Sequence, residues 1–161
     1  GHEARDQGRA VRIFIDMDGV LVDFDRYMRD HNLTADEVKA KPGAYADMWP
    51  MPNAIESVRK MFALGYDIWI ASKPPTAQPH AYADKVRWVM RWLPELTRKI
   101  ILTHDKGLLG NEDDTLIDDR PWKANCLEFK GTLIIFGAVS SGYLTWKDVL
   151  DDFQTGQFTQ P

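Results

Sequence analysis

Cysteine and long apolar runs are the two features that this sequence most clearly lacks. The 161 residues contain one cysteine, Cys126, which excludes both a disulfide framework and a cysteine-based zinc site. No apolar run approaches the ~18 to 20 residues that are needed to cross a bilayer. No basic segment followed by an apolar stretch opens the chain, as a secretory leader would. We therefore expect a soluble cytoplasmic protein with no membrane association.

An excess of basic residues is also missing. Lysine and arginine number 20 against 24 aspartates and glutamates, for a formal net charge of −4. A protein that follows nucleic acid through its phosphates normally carries the opposite excess, so we expect no long nucleic acid as a partner. A small anionic ligand remains compatible with this charge, because a bound metal ion can reverse the field inside one pocket.

The apolar residues that are present predict one α/β domain. They make up 44% of the chain, enough for a substantial core in a chain of about one domain's length. Short apolar runs predict strands at 11–15, 66–71, 99–103, 115–117 and 132–136. Helical spacing predicts helices over 53–64 and 145–153, and one with the apolar stripe Tyr82, Val86, Val89 and Leu93. Strands that alternate with helices favour a Rossmann-like three-layer fold with a mostly parallel sheet.

The domain boundaries are predicted from where the alternation of strands and helices begins and ends. We predict a single catalytic domain over residues 11–153 and a flexible tail over 154–161. Residues 1–10 are predicted to be disordered or derived from a tag, because Gly1-His2 resembles a tag remnant. At the helix over 53–64, Asn53 and Glu56 have the spacing of an N-terminal cap.

The interval 24–50 does not fit the alternation. It is too long for a plain loop between a strand and a helix and too short for a separate domain. Thr34 and Glu37 have the spacing of a capping box for a short helix within it. We predict a small helical cap over the carboxyl end of the sheet, where open α/β folds bind ligands.

Polar clusters follow four of the predicted strands, and they point to the chemistry. The clusters are Asp16 with Asp18, Ser72 with Lys73, Lys106, and Asp118 with Asp119. Because the carboxyl ends of parallel strands lie on one edge, we expect these groups to share a crevice. Four carboxylates there would repel one another, and all-oxygen ligands favour Mg²⁺ as the compensating cation. Mg²⁺ held by one or two carboxylates is typically completed by a substrate phosphate, which predicts phosphoryl chemistry.

The same clusters resemble the motifs of the haloacid-dehalogenase-like phosphatases, in the same order. Residues 16–24, DMDGVLVDF, resemble the first motif; Ser72, Lys106 and Asp118-Asp119 resemble the second, third and fourth. Within that superfamily, residues 101–106 (ILTHDK), 116–121 (LIDDRP) and 50–54 (PMPNA) are similar to the 5′(3′)-deoxyribonucleotidases. Those Mg²⁺-dependent enzymes remove phosphate from deoxynucleoside monophosphates and carry a short helical cap after the first motif. The resemblance implies the same substrate class and cofactor here.

Roles for the first motif combine this resemblance with strand geometry. Residues i and i+2 of an extended chain point the same way, so Asp16 and Asp18 can flank one phosphorus atom. By resemblance Asp16 is the nucleophile that forms an aspartyl-phosphate, and Asp18 is the general acid and then the general base. Gly19 permits the sharp turn that directs backbone N–H groups at the phosphate.

The remaining motifs imply phosphate and metal contacts. Ser72 would donate a hydrogen bond to the transferring phosphoryl group, and Lys106 would neutralise its charge. Asp16, the backbone carbonyl of Asp18, and Asp119 would hold Mg²⁺. Asp118 would act through water or by orienting the ligands.

Substrate contacts are expected from the first motif's end and from the cap. By resemblance Phe24 would stack on the base, and Tyr45 is a second candidate contact. Two positions depart from the deoxyribonucleotidase pattern, namely Lys73 in place of Ser within Thr-Ser-Pro and His104 in place of Arg. Lys73 adds a positive charge that could favour a substrate with a second anionic group, and His104 is a weaker anion contact than Arg.

Two other functions remain open at this stage. A related phosphatase of a sugar phosphate or another small phosphoester would share the catalytic residues and differ in what the cap contacts. A receiver-like signalling domain also gathers aspartates, a hydroxyl and a lysine at one sheet edge. Receivers place the lysine last and lack a cap after the first strand, so this sequence disfavours that alternative.

Overall fold

A five-stranded parallel sheet forms the centre of the protein. The computed structural model describes residues 9–156. The strands follow the spatial order β3-β2-β1-β4-β5, and every paired strand is parallel. The strands are β1 (Arg12–Ile15), β2 (Asp67–Ser72), β3 (Ile100–Leu102), β4 (Thr115–Asp118) and β5 (Thr132–Ile135). The predicted Rossmann-like α/β fold is confirmed.

Six α-helices accompany these strands in the described part of the chain. They are α1 (Phe24–His31), α2 (Ala35–Ala40), α3 (Ala44–Asp47), α4 (Ala54–Ala63), α5 (Pro79–Trp92) and α6 (Trp146–Thr155). Within residues 9–156, no helix is long and apolar enough to cross a membrane. The predicted disordered start and flexible tail lie mostly outside the described residues, and α6 continues two residues past its predicted end at 153.

The central position of β1 explains why polar groups distant in sequence meet. Ile15 of β1 lies in register with Ile70 of β2 on one side and with Ile117 of β4 on the other. Strands buried on both faces carry near-continuous apolar residues, and Ile13 and Ile15 are fully buried. The residues that follow β1 and β4 therefore emerge side by side at one edge of the sheet.

The interval 24–50, which is predicted to form the cap, contains three short helices, α1 to α3. Its capping box is confirmed, since the Thr34 hydroxyl accepts from the Glu37 amide at 3.2 Å and the Glu37 carboxylate accepts from the Thr34 amide at 3.0 Å. The cap rejoins the domain just before α4. There Asn53 adopts a left-handed conformation with φ of 62° and makes no side-chain cap, so the predicted capping by Asn53 is wrong.

Helix α5 buries only part of the face that the sequence predicted: Val89 and Leu93 of the predicted stripe are fully buried. Its buried residues are Ala81, Asp84, Lys85, Trp88 and Val89, whereas the predicted stripe members Tyr82 and Val86 are only partly buried. The prediction is wrong for Tyr82 and Val86 because it counted apolar positions alone. Two charged side chains lie on the true buried face, where each is paired, and hydrophobic spacing carries no signal for them.

Candidate active site

Three carboxylates converge where β1 and β4 end. The Asp16 amide donates to the Ile117 carbonyl at 3.0 Å, which brings the first residue after β1 against the end of β4. Carboxylate oxygens of Asp16, Asp118 and Asp119 lie within 4.8 Å of one another. The spatial convergence expected for these residues is therefore present.

Lys106 joins two of these carboxylates beneath the cavity. Its Nζ donates to Asp16 Oδ1 at 2.8 Å and to Asp118 Oδ2 at 2.6 Å, and the side chain is almost fully buried. Although burial lowers the pKa of Lys106, the two carboxylates outweigh it and raise that pKa overall. A permanent ammonium ion is thus held at the base of the site.

Burial makes Asp16 and Asp119 resist ionisation. Burial raises the pKa of Asp16, Lys106 opposes that rise and Asp118 adds to it. Burial, followed by the charge of Asp16, raises the pKa of Asp119 to about 8. Like charges this close disfavour the ionised form of each other, so the cluster has the electrostatics of a cation-binding site.

Asp118 differs from its two neighbours because its oxygens are already engaged. Oδ1 accepts from the Arg120 amide at 2.9 Å, and Oδ2 accepts from Lys106. The buried Cys126 thiol also lies 3.5 Å from Oδ2; burial, then the Asp118 charge, raises the pKa of this thiol to about 12. Cys126 is therefore a neutral buried group.

Gly19 is required by the close approach of the two loops. It adopts φ of +79°, and a Cβ built on it would lie 2.2 Å from Asp119 Oδ2. Its amide donates to the Val22 carbonyl at 2.9 Å, which closes the turn within the first motif. Any larger residue would displace the Asp119 carboxylate.

Asp18 contacts a lysine that sequence reasoning missed. Lys85 Nζ, on α5 and fully buried, lies 3.3 Å from Asp18 Oδ2 and donates to Ser72 Oγ at 2.8 Å. Asp18 Oδ1 is buried and has no hydrogen-bond partner at normal distance within residues 9–156, although the Tyr45 hydroxyl interacts with this carboxylate, which adds to burial in raising the pKa of Tyr45. Ser72 is itself 1% exposed and lies beneath the cavity rather than on its wall. Lys85 lies at helical spacing among the buried residues of α5. It could have been identified from the sequence only if charged residues had been considered for the buried face.

The cavity above these groups has a volume of about 480 Å³. Its floor includes Asp16, Asp18, Lys106, Asp118 and Asp119, and its walls include Phe24, Tyr45 and Lys73. The Phe24 and Tyr45 rings pack with centroids 5.8 Å apart, and Lys85 Nζ lies 4.3 Å from the centroid of the Tyr45 ring. His104 does not line this cavity; its Nε2 lies 3.3 Å from the Tyr82 hydroxyl. The cap thus contributes aromatic side chains next to the carboxylate floor.

The donor set fits a hard divalent cation. Three carboxylates lie within 4.8 Å of one another around the ammonium group of Lys106, and a fourth, Asp18, is paired with Lys85. Oxygen ligands of this kind select Mg²⁺-like ions over zinc or copper. Asp16 and Asp119 are the carboxylates best able to ligate, because Lys106 and the Arg120 amide already engage the oxygens of Asp118.

Comparison with known proteins agrees with this geometry. The sequence model of the 5′ nucleotidase, deoxy (pyrimidine), cytosolic type C proteins matches residues 36–154. A protein named putative 5′(3′)-deoxyribonucleotidase from Bordetella bronchiseptica is 34% identical over 139 residues, covering 68% of this chain and 74% of the relative.

Two further relatives come from distant sources. The human 5′(3′)-deoxyribonucleotidase, cytosolic type, is 31% identical over 146 residues, covering 70% of this chain and 72% of its own. The putative 5′(3′)-deoxyribonucleotidase of Vibrio phage KVP40 is 36% identical over 131 residues, with coverages of 78% and 75%. The family resemblance predicted from the motifs is confirmed: the chain belongs to the deoxy-type 5′-nucleotidase family of the haloacid-dehalogenase-like superfamily.

Proposed function

We propose that this protein is a Mg²⁺-dependent phosphomonoesterase that removes phosphate from deoxynucleoside monophosphates. The observation that carries the proposal is the cluster of Asp16, Asp118 and Asp119 around Lys106 at the floor of a cavity of about 480 Å³. Membership of the deoxy-type 5′-nucleotidase family supports the substrate class, and three relatives bear the name 5′(3′)-deoxyribonucleotidase.

Asp16, the backbone carbonyl of Asp18, and Asp119 would hold the magnesium ion, with Asp118 orienting the site through Lys106. When bound, the ion would neutralise charge on the phosphate oxygens. It would also lower the pKa values of Asp16 and Asp119, because an adjacent cation favours the ionised carboxylate.

Asp16 is the proposed nucleophile of the first half-reaction. One of its carboxylate oxygens attacks phosphorus in line, forming an acyl phosphate bond as the ester P–O bond breaks. The leaving oxygen takes a proton from Asp18. Lys106 supports this role because its contact with Oδ1 favours the ionised form of Asp16, which is the form that can attack.

Asp18 is the proposed general base of the second half-reaction. It removes a proton from water as the water oxygen attacks phosphorus, and the acyl phosphate bond breaks to release phosphate and restore Asp16. The position of Asp18 supports this role, since its side chain lines the cavity while Lys85 holds Oδ2.

Ser72 and Lys85 lie beneath the proposed phosphate-binding side of the site. The Ser72 oxygen accepts from Lys85, so its own hydroxyl proton is available to the transferring phosphoryl group. Phe24 and Tyr45, which line the cavity although both are mostly buried, are the proposed contacts for the base, and Lys73 supplies an exposed positive charge on the cavity wall. Base stacking on aromatic rings combined with charge at the phosphate suits a nucleotide better than a small sugar phosphate.

A substrate panel tests the proposal. We expect phosphate release from dUMP or dTMP with Mg²⁺ and loss of that release when a chelator removes the metal. A matched set of 3′-deoxynucleotides and sugar phosphates distinguishes the nucleotidase from a phosphatase of another small phosphoester. Hydrolysis of sugar phosphates alone would contradict the substrate class, and phosphorylation of Asp16 without repeated turnover would instead favour a receiver-like function.

The cellular location is proposed from the relatives alone. One human relative is the cytosolic type and another, 28% identical over 148 residues, is mitochondrial. We propose a cytoplasmic enzyme whose partner is a small phosphomonoester. Fractionation of the source cells, followed by detection of the protein, tests this location.

A further inference from the structure

Three side chains of helix α5, spaced four residues apart, make hydrogen bonds to the backbone of the cap. Each one bonds a backbone group of the interval 39–48, where α2 ends and α3 lies. The three contacts are His80 Nε2 to the Lys39 carbonyl at 3.0 Å, Asp84 Oδ2 to the Gly43 amide at 2.7 Å, and Trp88 Nε1 to the Met48 carbonyl at 3.0 Å. Residues i, i+4 and i+8 lie along one face of a helix, so this row is a continuous attachment of the cap to α5.

Asp84 is the charged member of this row, and it is 3% exposed. Its Oδ2 accepts from the Gly43 amide, and its Oδ1 accepts from Arg87 at 2.9 Å. A buried carboxylate is costly unless it is hydrogen-bonded, and a charge-assisted bond is stronger than a neutral one. Gly43 begins α3 with φ of +85° and has no side chain to cap the helix, so Asp84 secures the point where α3 starts.

The next residue on α5 belongs to the active site. Lys85 reaches Ser72 and Asp18, and its ammonium group lies 4.3 Å from the centre of the Tyr45 ring. Tyr45 follows Gly43 by two residues and lines the substrate cavity. Asp84 and Lys85 are adjacent on α5, so this helix fixes the distance between the start of α3 and the polar groups at the floor of the cavity.

We propose that Asp84 is a positioning residue for the reaction. Its hydrogen bond to the Gly43 amide places the Tyr45 ring against Lys85, and so fixes the distance between the cap and the phosphate site. This proposal rests on the proposed function. Asp84 touches neither substrate nor reacting atoms in this scheme. Its effect passes through the backbone of α3 to Tyr45, and along α5 to Lys85.

The test compares Asp84→Ala with Asp84→Asn. Asp84→Ala removes the acceptor, so we expect KM for the deoxynucleotide to rise about tenfold, the effect of losing one charge-assisted hydrogen bond, with a smaller fall in kcat. Asp84→Asn keeps an acceptor oxygen at the same place and should leave KM within about twofold of the parent. A merely structural role would reduce the active fraction, which lowers the apparent kcat and leaves KM unchanged.

Arg87→Ala is the matched control, because it removes the other partner of Asp84 while the Gly43 bond stays. Its KM should equal that of the parent. An unchanged KM in Asp84→Ala would overturn the proposal, as would an Asp84→Asn variant that is as impaired as Asp84→Ala.

Hydrogen exchange at the Gly43 amide separates this proposal from the proposed function. In Asp84→Ala the exchange of that amide should quicken about tenfold or more relative to the parent, whatever the enzyme hydrolyses. Faster exchange with no phosphate release from any substrate by the parent would refute the proposed function while retaining the contact. Unchanged exchange would refute the positioning role of Asp84 itself.

Discussion

Gly19→Ala should separate the stability of this protein from its activity. Gly19 has φ of +79°, and an alanine Cβ there would lie 2.2 Å from Asp119 Oδ2. An L-residue in the left-handed region costs about 1–2 kcal/mol. To reach an ordinary contact of 3.4 Å, the Asp119 carboxyl must also withdraw by about 1.2 Å. That atom is the tip of a side chain, so the withdrawal itself adds little to the loss of stability.

The displacement of the Asp119 carboxylate should instead lower the rate of the reaction. A misplacement of about 1 Å in an active site costs on the order of 10²-fold in rate, and Asp119 is a proposed ligand of the metal. We therefore expect Gly19→Ala to lose about 1–2 kcal/mol in free energy of unfolding and roughly 10²-fold in kcat/KM. The Mg²⁺ concentration needed for half-maximal activity should rise as well.

Gly142→Ala is the matched control for this variant. Gly142 has φ of +83°, and a Cβ added there would meet no atom of the described residues within 4 Å, so it carries the backbone strain without the clash. Urea unfolding should give similar losses of stability for the two variants, whereas phosphate release should fall in Gly19→Ala alone. Equal activity and equal Mg²⁺ dependence in both variants would refute the role assigned to Asp119.

Three other perturbations test the floor of the site. Asp16→Asn should abolish phosphate release without loss of stability by urea unfolding. Burial already raises the pKa of Asp16, and a neutral amide avoids the free-energy cost of burying a charge. Residual turnover near the parent rate would exclude covalent catalysis. Lys106→Met leaves Asp16 and Asp118 without their buried partner and should lower the free energy of unfolding by about 3–5 kcal/mol. Lys73→Met, at an exposed lysine, should lower it by less than about 0.5 kcal/mol. Equal losses would show that Lys106 is not an essential counterion. The folded pKa of Asp119, about 8 against 3.8 for an ordinary aspartate, means that the metal-free folded protein binds more protons than the unfolded chain between those values. Its free energy of unfolding should therefore fall as pH rises from about 4 to 8, and Asp119→Asn should flatten that slope; an unchanged slope would contradict the raised pKa.

Much of the fold could be predicted because it depends on local patterns. The five apolar runs became the five strands within about a residue or two at each end, and Thr34 with Glu37 formed the expected capping box. The meeting of Asp16 with Asp118 and Asp119 was also predictable. It follows from a single rule, that carboxyl ends of parallel strands share an edge of the sheet.

The part of the site that could not be predicted lies on α5. Lys85 and Asp84 are buried there, although apolar periodicity assigns the buried face to Tyr82 and Val86. A charged residue is buried only when its partners surround it, and those partners are Ser72 and Asp18 for Lys85, and the Gly43 amide for Asp84. Asp18 and Gly43 lie 67 and 41 residues from their partners on α5, and Ser72 lies on the preceding strand, so no pattern within the helix records the pairing.

The amino-acid sequence by itself determined the strands, the order of the motifs and the family, because these depend on residue type and spacing along the chain. Only the tertiary structure decided that Lys106 joins Asp16 to Asp118, that Asp119 leaves no room for a side chain at Gly19, and that α5 holds the cap. The physical reason is that charge pairing and close packing depend on distances between atoms, and those distances are set only when the chain has folded.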